Sequence, residues 1–393
     1  MDYKVKQRQL NMVEFLYMGS MIGSSYIAMI LKGQGMDSVT VGSIQSALAL
    51  IGLIAPPIAG MLADKMGSVR KMFVITFTVT AIFWLAMPTT AAIKLAGVPL
   101  MVFVLFVEAW IRLPIGSLMD GWLMDVQEKD NRIVYSAARK YGSLGYAIFS
   151  FLSSYVVAIV APEYIYYFMP LCALPVLWLC KQLGDGGDVP KVKQQKEKLQ
   201  IGRIFKKYYI MTYFLCSIVV WMPFMVSYTL LPYLISDMGG ADTVMGIAIG
   251  LRALMEVPAY MLVPMISKRL SPRIVLPLCF AYYAVEQLLC SFLGGTTILI
   301  ALLMVSGMVY AVMQATTVGY VHSMAPKGLG ATVVTMNGAV MSLSSILGNL
   351  LCGVLIAAVG IRMCYVIIGG MTAVFAALFV LFLLIGKKKK IAL

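Results

Sequence analysis

The chain has 393 residues, 61% hydrophobic and 12% charged, with a mean hydropathy of +0.89. A soluble domain of that composition cannot cover itself with polar surface, and its apolar runs are too many for one anchor, so it reads as a polytopic membrane protein. The formal net charge of +14 lies in short loops, where it sets orientation instead of marking a nucleic-acid partner.

Windows of about 20 apolar residues predict twelve spans: 10–31, 39–63, 71–88, 97–122, 133–160, 163–181, 208–235, 242–266, 273–293, 296–320, 328–358 and 362–386. Backbone groups in lipid need partners within their own segment, so every span is expected to be helical. The first span is too long for a cleavable signal, and Met1–Arg8 is its basic flank. Between the second and third spans comes Gly60-Met61-Leu62-Ala63-Asp64-Lys65-Met66-Gly67-Ser68-Val69-Arg70-Lys71, read as a tight charged turn with a glycine at either side. Asp64 and Arg70 stand where they can bridge helix ends, so the turn can act as a latch. It resembles the loop between the second and third helices of the major facilitator superfamily.

The stretch Leu183–Lys207, with Gly184-Asp185-Gly186-Gly187-Asp188 and a Lys/Gln-rich run, is the longest polar interval. It divides the chain into a first six-span bundle (1–182), a central loop (183–207) and a second six-span bundle (208–393). The halves repeat weakly: Leu62–Gly67 can be laid on Ile266–Ser271. Placing both termini in the cytoplasm puts Lys65, Arg70, Lys71, Lys129, Arg132, the central loop, Lys268, Arg269, Arg273, Lys327 and Lys387–Lys390 inside, and leaves Lys32, Lys94 and Arg362 outside. The expectation is an all-α membrane protein of 12 transmembrane helices in two pseudo-symmetric six-helix bundles, with a binding site where the halves meet.

An ionisable group mid-membrane costs about 2.5–3.5 kcal/mol on insertion scales, which makes each one a functional candidate. The candidates are Glu14, Glu108, Arg112, Asp120, Arg139, Lys140, Arg252, Glu256 and Glu286. Glu14 and Lys140 fall nearer span ends, within reach of water. Glu108 with Arg112 and Arg252 with Glu256 are spaced i, i+4 and share a helix face. For the first pair, mutual neutralisation and a role in the cavity both stand. Pro258 follows the second pair and can bend its helix beside the charges.

Asp120 followed by Tyr135-Ser136-Ala137-Ala138-Arg139-Lys140-Tyr141-Gly142-Ser143-Leu144-Gly145-Tyr146 resembles the fourth-to-fifth helix region of lactose permease, phenylpropionate permease and nucleoside:proton symporters. Met255-Glu256-Val257-Pro258 is similar to the acid-centred eighth helix of that branch. The resemblance implies substrate binding by Asp120, Arg139 and Tyr146, joined by Arg252 and Glu256. A carboxylate and a guanidinium give directional bonds to hydroxyls, and an aromatic ring suits a flat ligand face. The branch departs at Val305–Tyr310, which has neither its histidine nor its glutamate, and at Glu286, where it carries an arginine. A relocated charge follows as an expectation: Arg252 faces Glu286, and Glu256 exchanges the proton.

The implied function is proton-coupled symport of a small organic solute (sugar, nucleoside or aromatic acid) by a monomer in the cell membrane. Proton-coupled efflux is the alternative, and the partners are the solute, protons and lipid. No cofactor is expected. One histidine, His322, excludes a His-cluster metal site, and its place at a span end suits an interfacial role. The cysteines at 172, 180, 216, 279, 290, 352 and 364 form no CxxC pair. With no acidic metal cluster and no Walker motif, neither a membrane enzyme nor direct ATP drive is expected.

Overall fold

A computed structural model describes residues 2–183, 202–326 and 330–389. Most of the predicted central loop, with Lys327, Lys390 and the last residues, lies outside the described residues. The chain is almost entirely helical. In order come α1 (Tyr3–Ser20), a 3₁₀ turn (Met21–Tyr26), α2 (Ile27–Gly33), α3 (Ser38–Met66), α4 (Val69–Leu85) and α5 (Met87–Ala92). A small hairpin, β1 (Lys94–Leu95) with β2 (Val98–Pro99), precedes α6 (Leu100–Arg112), α7 (Ile115–Lys129) and α8 (Tyr135–Ile159). A second 3₁₀ turn (Pro162–Tyr167) leads into α9 (Phe168–Leu183). Then follow α10 (Gly202–Phe205), α11 (Tyr208–Val220), α12 (Met222–Met225), α13 (Ser227–Asp237), α14 (Thr243–Arg269), α15 (Pro272–Phe292), α16 (Thr296–Met324) and α17 (Gly330–Lys388). Among the described residues, nine helical stretches are long and apolar enough to cross a membrane.

The elements depart from the predicted spans where backbone chemistry intervenes. The first helix begins at Tyr3, seven residues before the apolar window, because its polar first turns carry nothing that breaks a helix. The predicted start at 97 is instead a tight antiparallel turn, pairing Lys94 with Pro99 and Leu95 with Val98. Ala96 and Gly97 take φ of 51° and 85° there, the double positive φ that two-residue hairpins need. The predicted span 208–235 is three helices broken at Trp221 and Val226, beside Pro223. The last two spans are joined into one assigned helix whose backbone breaks at Gly360 (φ 79°, ψ 167°).

The predicted two-glycine turn is also shorter than expected. Gly60 lies inside α3, which runs on to Met66, so the connection is Gly67-Ser68 alone. Gly67 ends α3 at φ 67°, a left-handed residue in which glycine avoids Cβ strain. Its N–H donates to Asp64 C=O, and that of Ser68 to Ala63 C=O, both at 3.2 Å, closing the helix end. The Ser68 hydroxyl then accepts from the Lys71 N–H at 3.2 Å and caps α4. The matching connection after α14 is likewise two residues, Leu270-Ser271, with Ser271 extended before Pro272. The two connections therefore match in length, with Ser68 and Ser271 in equivalent places before the next helix, one position from the sequence pairing.

The chain forms two compact units, neither contiguous. The first takes Met1–Met36, Ala47–Val192 and Asp242–Ala253; the second takes Asp37–Ser46, Lys193–Ala241 and Leu254–Leu393. In the first unit α1 packs closely against α8. A Cβ on Gly145 would overlap the Phe15 carbonyl, and one on Gly142 would lie 2.9 Å from Met18 Cγ. Small residues let backbones approach this closely in membranes, where no hydrophobic force draws helices together. Tyr17, Phe73, Phe77 and Trp122 fill the space beside that seam with edge and stacked contacts. The core of the second unit gathers Tyr213, Phe280, Tyr320 and Phe379.

Candidate functional site

The clearest group of polar side chains in the first unit lies along the α1–α8 seam. Glu14 is wholly buried. Counting from Tyr3 it stands eleven residues into the helix, about 16 Å at 1.5 Å per residue. The expectation that Glu14 reaches water near a span end is therefore overturned, because the helix extends well below the apolar window. Arg139, in the second turn of α8, donates from Nη1 to Glu14 Oε1 at 3.2 Å. The Arg139 side chain is 41% exposed and that of Glu14 is 0% exposed, so the arginine is partly open while the carboxylate is enclosed. Lys140 is exposed, as expected.

Asp120 on α7 is within electrostatic reach of both Glu14 and Arg139. It accepts from the Tyr135 hydroxyl at 2.9 Å, and Tyr135 N–H is itself held by Gln127 Oε1. Two of the predicted binding residues, Asp120 and Arg139, thus come together, with Glu14 and Tyr135 completing the group. Glu14 Oε2 is buried and has no hydrogen-bond partner among the described residues. That leaves an enclosed carboxylate oxygen able to hold a proton. Tyr146 stands seven residues beyond Arg139 on α8, about 10 Å further along the axis. Its hydroxyl bonds Ser25 of the first 3₁₀ turn, and its ring is half-buried.

The Glu108–Arg112 pair forms a separate structure in the same unit. Arg112 Nε lies 2.9 Å from both Glu108 oxygens, and both side chains are buried. The pair closes α6 just before the Leu113-Pro114 break, within reach of Trp84 and Tyr166, whose rings meet edge to face at 4.8 Å. Its two charges are satisfied by each other at close range, which favours the neutralising reading.

In the latch region, Arg70 Nη1 donates to the Cys180 carbonyl at 2.6 Å and so ties the start of α4 to the end of α9. Arg252 is buried in the part of α14 that belongs to the first unit. Glu256, one turn on and half-buried, belongs to the second, with Pro258 and Pro264 following in the same helix.

Within the second unit, Glu286 is 4% exposed and borders a small cavity of about 10 Å³ with Gln287, Cys290, Ser227 and Tyr365. Gln287 Oε1, Ser306 Oγ, Gln314 Oε1 and Asn337 Oδ1 are buried polar atoms of this unit with no hydrogen-bond partner among the described residues. Phe224 and Tyr310 stack at 3.9 Å, with Trp221 edge-on to both. His322 is exposed at the end of α16.

The sequence reading holds Glu14 among the intramembrane charges but places it at a span end within reach of water, and so outside the expected binding group. Glu14 and Met18 share a helix face at i, i+4 spacing, and the fold sets both against Gly142.

Long apolar helices enclosing buried ionisable side chains mark a multi-pass membrane protein. The chain belongs to the MFS_1-like family, whose model matches residues 8–367. No curated protein matches it. Among solved structures it is similar to a mutant of the nucleoside transporter NupG, at 17% identity and a TM-score of 0.81, covering 96% of this chain and 99% of that one. It is also similar to a POT family transporter in complex with a thioalcohol-conjugated peptide (14%, TM-score 0.72, 98% and 96% covered). A third is a D-xylose-proton symporter (13%, TM-score 0.70, 96% and 97% covered). At these identities the likeness establishes the fold, and all three neighbours are transporters.

Proposed function

We propose that the protein is a proton-coupled symporter that carries a small organic solute across the cell membrane by alternating access. It would have twelve spans in two six-helix bundles, 1–182 and 208–393, joined by the cytoplasmic loop 183–207. The observation that carries this reading is the Glu14–Arg139–Asp120 group. An ionisable group inside the bilayer is a functional candidate by its cost, and here three meet in one bundle, with Arg139 partly open and Glu14 Oε2 buried without a hydrogen-bond partner among the described residues.

Asp120 and Arg139 bind solute hydroxyls or a carboxylate, Tyr146 offers its ring, and Glu14 holds the guanidinium in place. Arg252 and Glu256 contribute from α14, and Glu256 and Glu286 exchange the proton. Asp64, Gly67 and Arg70 act as the latch, with Gly60 as part of the helix that bears on it. Sugars, nucleosides and aromatic acids all suit such a group, and nucleosides are the class to try first because one structural neighbour is a nucleoside transporter.

A thermal-shift screen of the purified protein against nucleosides, sugars and carboxylates tests this, repeated with Asp120→Asn. One class should stabilise the native protein and lose that effect in the variant. The same ligand should then drive proton uptake into sealed vesicles. A ligand whose stabilisation survives Asp120→Asn, Arg139→Gln and Glu14→Gln alike would remove the site.

A further inference from the structure

At one end of the second unit, three separate basic segments converge on a single ring. Tyr209, at the start of α11, is 4% exposed. The Arg273 guanidinium at the start of α15 lies over it, 4.9 Å from the ring centroid. The end of α17 abuts the same ring, since a Cβ on Gly386 would lie 2.7 Å from the Tyr209 hydroxyl. The neighbouring Tyr208 hydroxyl donates to the Phe382 carbonyl at 3.1 Å, which fixes the crossing. Lys206 and Lys207 immediately precede this tyrosine pair, and Lys387, Lys388 and Lys389 immediately follow Gly386. Lys206 and Lys387–Lys389 are exposed.

No aspartate or glutamate occurs within 202–209, 266–276 or 380–389. Lys206, Arg273 and Lys387–Lys389 are five cations on chain segments that meet at one ring, and like charges gathered at one end of a bundle favour an anion there. Arg273 is suited to that anion, because a guanidinium laid flat on a ring still presents its N–H edge to a phosphate. The surroundings add a second requirement. Phe205 is 55% exposed and Ile274 is 50% exposed, each within a residue or so of a basic side chain. A ligand that satisfies both groups carries a phosphate beside an apolar chain.

We propose that Lys206, Arg273 and Lys387–Lys389 form a binding site for the phosphodiester headgroup of an anionic phospholipid, with Phe205 and Ile274 against its acyl chains. The site holds the ends of α11, α15 and α17 together, and the protein is more stable in an anionic bilayer than in a zwitterionic one. Basic clusters at helix ends draw anionic lipid by this means.

The test uses the full-length protein in a neutral detergent, titrated with phosphatidylglycerol or phosphatidylcholine while the unfolding temperature is followed. Phosphatidylglycerol should stabilise and phosphatidylcholine should not. In the variant Arg273→Gln/Lys387→Gln/Lys388→Gln/Lys389→Gln, the lipid concentration giving half the shift should rise at least about tenfold. Lys94→Gln, in the hairpin of the other unit, should leave it unchanged. Should the multiple variant fail to fold, raising salt on the unaltered protein gives the same reading: it should weaken the phosphatidylglycerol response alone. Equal responses to the two lipids, or an unaltered response in the variant or in salt, overturn the site. Stabilisation of equal size by inorganic phosphate overturns the lipid assignment and leaves a free-phosphate site in its place.

Discussion

Replacing Arg139 with glutamine separates the two roles of the buried pair. In the native protein Arg139 Nη1 donates to Glu14 Oε1 at 3.2 Å, and Glu14 is closed to solvent. A hydrogen bond to a charged group contributes about 1.5–3 kcal/mol, and removing one partner of a fully buried pair costs about 3–5 kcal/mol. Arg139 is 41% exposed, so part of its charge is already solvated and the lower end applies. Arg139→Gln should cost about 2–3 kcal/mol, because it strands a fully buried carboxylate.

Glu14→Gln should cost less, about 1 kcal/mol, because the guanidinium keeps solvent and Asp120. The double variant Glu14→Gln/Arg139→Gln should be more stable than Arg139→Gln alone, since neither charge is left without a counterpart. Equilibrium unfolding by SDS in mixed micelles, read by tryptophan fluorescence, measures all four corners of this cycle. If Glu14→Gln proves as damaging as Arg139→Gln and the double variant recovers nothing, the pair is not what holds these groups, and the asymmetry argued from exposure is wrong.

Gly145→Ala should destabilise by about 1–3 kcal/mol, because the added carbon meets the Phe15 carbonyl and must push α1 from α8. Gly60→Ala, with nothing within 4 Å of its Cβ position, should be neutral or stabilise α3 by up to about 1 kcal/mol; the same SDS titration ranks the two. In the turn between α7 and α8, Arg132 donates to both Asp130 oxygens at 2.8 and 2.9 Å, and this holds the Asp130 carboxyl down to about 2. A depressed carboxyl stabilises the folded turn above its unfolded value and loses that contribution only as pH falls through the folded one. Amide exchange at Arg132 should therefore be as protected at pH 4 as at pH 7, after correction for intrinsic rates, and faster at both in Asp130→Asn. Loss of protection in the unaltered protein by pH 4 would contradict the pairing.

Composition and apolar windows were enough to show a polytopic helical protein, because the requirement that lipid-facing backbone satisfy itself leaves few alternatives. Charge burial was legible for Glu108–Arg112, since i, i+4 spacing puts both on one face whatever surrounds them. Three breaks were not legible: Leu113-Pro114, the double interruption of α11–α13, and the hairpin at 94–99. Each depends on local backbone geometry that hydropathy averages away. Gly60 and Gly67 looked alike in the sequence, and only the positive φ at Gly67 shows which one ends the helix.

The membrane class, the helical content and the list of intramembrane charges followed from the residues alone, because solvation by lipid acts on each segment independently. Which charges meet did not. Glu14, Asp120, Arg139 and Tyr135 come from three helices, and their encounter depends on how closely α1 approaches α8 across Gly142 and Gly145. The gathering of Lys206, Arg273 and Lys387 around Tyr209 likewise joins segments that are far apart in the chain. Contacts of that kind are decided by helix crossing and side-chain volume in three dimensions, and a one-dimensional pattern carries no direct record of either.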